Sequence, residues 1–327
     1  MSAIIHFFKL VRWQNLVIIA LTQYLMRYCI IEPLMNSLAQ NAGMIFLLQM
    51  SNFNFFLLVL STVLIAAAGN VINDYFDLKI DRINKPEKII VGRFIKRRVA
   101  MVLHIVLNSL GILIGIYVSY QTGIWKLALI HIFAVMSLWY YSTHFKHNIF
   151  TGNFIIAILA AIIPLIVGLY EIPLINYRYG MILNEFHSDF NFISYWLIGY
   201  AIFAFLFTLA REITKDIADM EGDEHCGSYT IPIAYGMDVA RYISIGIYAV
   251  IIVLIAFVWV KFLNDKTTLI YILFFIGIPF AISIYETLKA KNRKQFLSAD
   301  KWNKMTSVAG ILYAVVARYI ILNGPLF

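Results

Sequence analysis

Residues 53–68 run the better part of a membrane-crossing helix without a single charge, and stretches of the same kind recur along the chain. No other feature constrains the fold as strongly, because one soluble core cannot hide many such runs from water. A membrane-crossing helix needs about 20 mostly apolar residues. Nine segments qualify: 16–31, 53–73, 99–120, 124–141, 154–170, 193–210, 242–260, 268–288 and 308–322. Composition agrees. Apolar residues make up 61% of the 327, against roughly 45–50% in ordinary globular chains. Charged residues, at 13%, are too few to coat a soluble surface. The expected class is an all-α, polytopic membrane protein with nine transmembrane helices, read as one membrane domain over residues 1–327.

The 26 Lys and Arg then set the orientation. If the N-terminus shares a side with every second connection, that side holds twenty of them and the other side six. This asymmetry places the N-terminus and the segment beginning at Asp74 in the cytoplasm, here that of a bacterial inner membrane. Residues 1–13 mix apolar and basic side chains and read as a helix lying on the membrane surface. They lack the pattern of a cleaved signal peptide. The basic run from Lys289 to Lys304 reads as a contact for anionic headgroups. The +8 net charge therefore belongs to a membrane topology, not to nucleic acid. Cys29 and Cys226 cannot make a disulfide framework. Residues 32–52 and 171–191 read as connections outside the helices, and Asn41, Gly43 and Met44 carry no motif.

Two acidic arrays break the apolar pattern. Residues 73–81 read N-D-Y-F-D-L-K-I-D, with Asn73 and Asp77, then Asp77 and Asp81, one helical turn apart. Residues 216–223 read D-I-A-D-M-E-G-D, and Asp216, Asp219 and Asp223 share one helical face. A single D-x-x-x-D at a helix end is ordinarily a solvated face. Two such arrays, each ending an even-numbered apolar helix on the same side, are another matter, because ionisable groups at membrane depth are costly. They suggest a duplicated organisation, with halves over 12–145 and 146–290. Carboxylate and amide oxygens suit a hard dication such as Mg2+, which is held by one or two carboxylates plus phosphate oxygens. The nearby cations Arg82, Lys85, Lys146 and Lys215 suit the phosphate itself. His225 and Cys226 beside Glu224 offer too few soft ligands for zinc.

These residues resemble the two aspartate motifs of the UbiA superfamily of intramembrane prenyltransferases. Residues 82–92 resemble the loop after the family's first motif, with Lys88 where many members carry Arg-Pro. Tyr141 to Lys146 resemble its Tyr-x-x-x-x-Lys element, and Arg12 with Asn15 its Arg-Pro-x-Asn start, Trp13 standing for the proline. The second motif is most similar to that of members acting on geranylgeranylglyceryl phosphate. The resemblance implies nine helices around a central cavity, Mg2+ dependence and transfer of a prenyl group from a polyprenyl diphosphate to a lipophilic acceptor. Asn73, Asp74, Asp77, Asp81, Asp216, Asp219 and Asp223 would hold metal, with Asp77, Asp81, Asp219 and Asp223 central to catalysis. Arg82, Lys85, Tyr141, Lys146 and Lys215 would bind diphosphate.

Aromatic faces stabilise an allylic cation, and Phe76, Trp139, Tyr140 and Tyr141 are the candidates near the motifs. An aromatic acceptor of quinone pathways (4-hydroxybenzoate, homogentisate or naphthoate type) fits the same pattern. A cation transporter is the reading from another class; it predicts acidic residues near the bilayer midplane in broken helices. Pro164 and Pro279 are expected to kink their helices. His144 and His147 flank Lys146 and read as interfacial, and His187 belongs to no cluster.

Overall fold

The computed structural model describes residues 3–41, 45–185 and 190–323. Gly43, Met44, His187 and the side chain of His147 lie outside that description. Helix α1 (Ala3–Leu10) exposes Ile4 and Phe8 and buries Leu10, as an interfacial helix would. The chain turns at Arg12, whose φ of 53° is left-handed, and enters α2 (Trp13–Leu25). A π-helical stretch (Met26–Ile31) carries α2 directly into α3 (Glu32–Asn41). Helix α4 (Asn52–Phe76) starts at Ser51, whose hydroxyl accepts the Asn54 N–H. Asp77 caps it and opens the short α5 (Leu78–Asn84). Then come α6 (Arg97–Gln121), α7 (Ala128–Thr143), α8 (Thr151–Glu185) and α9 (Phe192–His225). The short α10 (Ile231–Tyr235) precedes α11 (Met237–Val258). Helices α12 (Lys266–Tyr271) and α13 (Ile278–Lys289) flank a second π-helical stretch, and α14 (Arg293–Asn323) follows. No strand occurs among the described residues.

Eight of these rods are long and apolar enough to cross a membrane. Helix α7, at 16 residues, is shorter than any of these eight spans. The membrane-protein expectation therefore holds, with eight such spans among the described residues.

Two expected connections are helical in their first part. The first span continues through Glu32, and α8 continues through Glu171 to residue 185. Glu32 and Glu171 had marked helix ends in the sequence, but each has a cationic partner, Arg318 and Arg27. Arg27 and Glu171 are almost fully buried and form an ion pair at 3.3 Å. The Arg27 guanidinium also donates to the Met50 carbonyl and lies 4.5 Å over the Phe55 ring. Glu171 accepts the N–H groups of Gln49 and Met50 at 2.6 and 2.9 Å. Glu32 pairs with Arg318 of α14 at 3.1 Å. Compensated charges can stay inside an apolar bundle, where isolated ones would end it. Pro164 lies inside α8, and Pro279 opens α13 just after the π-helical stretch.

The main apolar core fills the end of the bundle near Arg27, joining α2, α4, α8, α9 and α14 through residues such as Met26, Phe55, Tyr170 and Ala317. Close approach of α6 to α7 depends on Gly115, where a Cβ would sit 2.5 Å from the His131 ring. The opposite end is polar. There the α1–α2 turn, the end of α4, α5, the segment after α7, the end of α9 and the start of α14 converge.

Candidate active site

The two acidic arrays meet at this polar end. The first straddles the α4–α5 junction. Asn73 donates Nδ2 to Asp77 Oδ2 at 2.7 Å, one turn along, as its spacing requires. The second lies within α9, whose 34 residues extend about 51 Å at 1.5 Å per residue. That exceeds the ~30 Å of a bilayer core, so α9 carries its acidic turn well past the apolar belt.

Asn84 joins the arrays. Its Nδ2 donates to the Asp219 carbonyl at 2.8 Å, and its Oδ1 accepts the Gly222 N–H at 3.1 Å. A Cβ on Gly222 would lie 2.5 Å from that amide, so only glycine permits the contact. Lys85, the next residue, pairs with Asp219, as does Arg293 at 3.1 Å.

Lys146 stands between the arrays. It donates to Asp77, and its charged neighbours include Asp81, Asp216 and Asp223. Burial opposes the charge of its ammonium. The Asp77 carboxylate and Tyr141 outweigh that cost and raise its pKa. Burial, then the Asp77 charge, push the Asp81 carboxyl up to about 6. Asp74 is paired to Arg12 at 2.7 Å, and Asp216 accepts from Asn153 of α8 at 2.7 Å. Asp77 and Asp223 are buried.

Asn73 of the first array lines a cavity of about 1220 Å³, which none of the aspartates reaches. Its wall is largely aliphatic and aromatic, and its polar mouth holds Asn70, Asn73, Tyr141 and Arg12. The structure thus brings together Asn73, Asp74, Asp77, Asp81, Asp216, Asp219, Asp223, Lys85 and Lys146, with Tyr141 on the cavity wall. Arg82 is exposed on α5 and does not line the cavity. Lys215 turns to Glu212 and Arg211. Phe76, Trp139 and Tyr140 face outward, because they occupy the flank of the bundle that the neighbouring helices leave uncovered. The aromatics facing the cavity include Trp196, Tyr200, Phe203 and Phe207, all on α9. Asn84, Asn153, Arg293 and Lys304 were not anticipated as site residues. Arg293 and Lys304 belong to the run read as a headgroup contact, yet one reaches Asp219 and the other the cavity.

The donor set can be tested against a hard dication. Among the described residues, no group of three or more His, Cys, Asp or Glu is drawn together closely enough to hold a metal alone. Mg2+ does not require such a cage, since it keeps waters and shares phosphate oxygens. Asn73 Oδ1 is buried without a hydrogen-bond partner beside Asp77, an acceptor left over in an all-oxygen set. These residues fit Mg2+.

Residues 38–306 match the model of the UbiA prenyltransferase family. The chain belongs to that family. A transporter reading is thereby set aside, as it is by the acidic groups lying at the end of the bundle. This UbiA family member is 35% identical over 213 residues to a digeranylgeranylglyceryl phosphate synthase of Methanothermobacter thermautotrophicus, covering 64% of this chain and 67% of the relative. It is 31% identical over 261 residues to the same-named enzyme of Methanobrevibacter smithii, covering 80% and 84%. A solved digeranylgeranylglyceryl phosphate synthase superposes with a TM-score of 0.60 at 23% identity, over 97% of this chain and all of that one. A UbiA homologue from Archaeoglobus fulgidus, solved with DMAPP and Mg2+, gives 0.54 at 16% identity, over 97% and 98%. These superpositions share the fold of the UbiA family.

Proposed function

We propose that this prenyltransferase moves a geranylgeranyl group from geranylgeranyl diphosphate to geranylgeranylglyceryl phosphate, with Mg2+, at the cytoplasmic face of the membrane. The observation that carries the reading is Lys146, held between two aspartate arrays, the first of which sends Asn73 into the lining of a large, mostly apolar cavity. Ordinary small-molecule sites measure roughly 300–1000 Å³. At about 1220 Å³ this one suits a long prenyl chain.

Asn73, Asp74, Asp77 and Asp81 would hold Mg2+ on one side and Asp216, Asp219 and Asp223 on the other. Bound there, it neutralises diphosphate charge and makes the diphosphate a better leaving group. Lys146 and Lys85 exchange their aspartates for phosphate oxygens. The C1–O bond of the donor breaks with its electron pair going to diphosphate, and positive charge spreads over the allyl group. Tyr141 and the cavity aromatics face that charge, and the apolar wall excludes water from it. The acceptor hydroxyl oxygen bonds to C1, and its proton passes to the departing diphosphate.

The named relatives support the glycerol phosphate acceptor, and none of them is a quinone-pathway enzyme. They come from archaea and give a bacterial inner membrane no support. Nine crossings form part of the proposal. Helix α6 runs from the polar end, α7 passes His131 beside Tyr170, and Lys146 just beyond α7 is back at Asp77. Two similar halves, 12–145 and 146–290, are supported by a shared order: an aspartate-bearing helix (α4, α9), a short helix (α5, α10), then a long one packed on the first (α6, α11). The test is a membrane assay with labelled geranylgeranyl diphosphate and a panel of phosphorylated and aromatic acceptors, read by product mass. Transfer only to aromatic acceptors would refute the acceptor reading.

A further inference from the structure

The five charged residues that line the cavity are Arg12, Arg211, Lys215, Lys304 and Glu212. Four are cations. None of the aspartates of the two arrays lines it. Arg12 is engaged by Asp74. The other three cations form a group of their own. Lys304 has Arg211, Lys215 and Asp300 as charged neighbours, and Lys215 has Arg211, Glu212 and Asp300. Three bases thus face two acids, leaving one positive charge in surplus at the edge of an apolar space.

Their hydrogen bonding leaves capacity for a ligand. Arg211 reaches Asp300 through Nε alone, at 2.7 Å, and its terminal NH2 groups make no hydrogen bond among the described residues. Lys304 is held by a neutral partner, Asn15 Oδ1, at 2.6 Å. Helix α9 divides this group from the metal-binding array. Asp216 and the Asp219–Gly222 backbone face α8 and α5 through Asn153 and Asn84, whereas Arg211 faces α14 through Asp300.

We propose that Arg211 and Lys304, with Lys215, form a second anion site that binds the phosphate monoester of the acceptor. The donor diphosphate goes to the aspartate arrays with metal, and the acceptor phosphate goes to the α9–α14 side without it. A guanidinium fork and an ammonium are the groups that recognise phosphate directly. Placing the two anions on opposite sides of α9 keeps like charges apart and gives each lipid its own end of the cavity. This inference rests on the acceptor class proposed above.

The test uses the full-length enzyme in vesicles, labelled geranylgeranyl diphosphate, and two acceptors: geranylgeranylglyceryl phosphate and its dephosphorylated alcohol. Arg211→Gln and Lys304→Gln should each raise the KM for the phosphorylated acceptor roughly tenfold or more, the worth of one charged hydrogen bond. Donor KM should stay within about twofold, and the preference for the phosphorylated acceptor should largely disappear. Arg211 also ties α9 to α14. If its variant fails to fold, Lys304→Gln, which gives up only the bond to Asn15, decides the matter. An equal rise in donor KM, or an unchanged acceptor preference, overturns the site. A wild type that uses the phosphorylated acceptor while both variants keep its KM overturns the site alone. A wild type that prenylates aromatic acids and ignores the phosphate ester overturns the acceptor class and the site with it.

Discussion

Asn84 clamps Gly222: one amide group spans both aspartate arrays and sets their separation. Asn84→Ala removes two hydrogen bonds, a loss of about 1–3 kcal/mol. Gly222→Ala drives a methyl into the same amide. Both variants should fold with a lowered Tm and require more Mg2+ for half-maximal transfer. Thermal melts and Mg2+ titrations check this, and an unchanged Mg2+ requirement in both would show that the clamp does not set the metal site.

Asp77→Ala and Asp219→Ala should each abolish transfer while leaving the protein folded, because the main core lies at the other end of the bundle. Size-exclusion profiles and product assays on the same preparations test this directly. Full turnover by either well-folded variant would remove the aspartates from the mechanism.

Lys146→Met should weaken donor binding roughly 10- to 100-fold, by the loss of one charge-assisted interaction. It leaves Asp77, Asp81, Asp216 and Asp223 without their shared cation. Lys146→Arg should recover part of the affinity. Donor KM at saturating Mg2+ is the measurement, and equal values for Met and wild type would contradict the role.

The Asp81 carboxyl, pushed up to about 6 from an ordinary 3.8, binds a proton more tightly in the folded chain than in the unfolded one. The metal-free fold therefore bears the cost of the charged carboxylate above pH 6 and is relieved of it as pH falls towards 3.8. On the proposed reading Mg2+ takes the Asp81 carboxylate and so competes with that proton. The Mg2+ concentration for half-maximal activity should be flat above pH 6 and rise below it, by about tenfold per pH unit for one displaced proton. A requirement that stays constant between pH 7.5 and 5 would contradict this.

At the far end, Arg27→Met should cost about 3–5 kcal/mol, since it strands the buried Glu171. The pair Arg27→Met with Glu171→Leu should recover much of the loss. Melting temperatures of the two single variants and the double variant form the required cycle.

The apolar runs made the helices legible because lipid permits few alternatives for an uncharged stretch. Carboxylates at i, i+3, i+4 and i+7 made both arrays legible for a similarly local reason. Partners far apart in the chain were not legible. Glu171 looked like a helix end because its partner Arg27 is 144 positions away. Asn84 looked like a loop residue because Gly222 is 138 positions on. Arg293 and Lys304 looked like headgroup contacts because a basic run says nothing about which side chains turn inward. Of the aromatic candidates, Tyr141 lines the cavity, and the other three miss it for the opposite reason. Nearness in sequence to the motif placed Phe76 and Trp139 on its helices but on the outward flank.

Helix α14 is tied to the first span at two places: Lys304 to Asn15, and Arg318 to Tyr28 and Glu32. During synthesis the earlier helices enter the membrane as an open gutter, with the α2 side facing lipid. The cavity acquires its last wall only when α14 inserts. An unfinished chain therefore has both aspartate arrays but no sealed chamber. On the proposed mechanism, diphosphate bound at those aspartates would leave the allylic carbon open to water. Closure by α14 would make productive chemistry a property of the assembled bundle, so that the proposed allylic cation forms only where the cavity wall shields it.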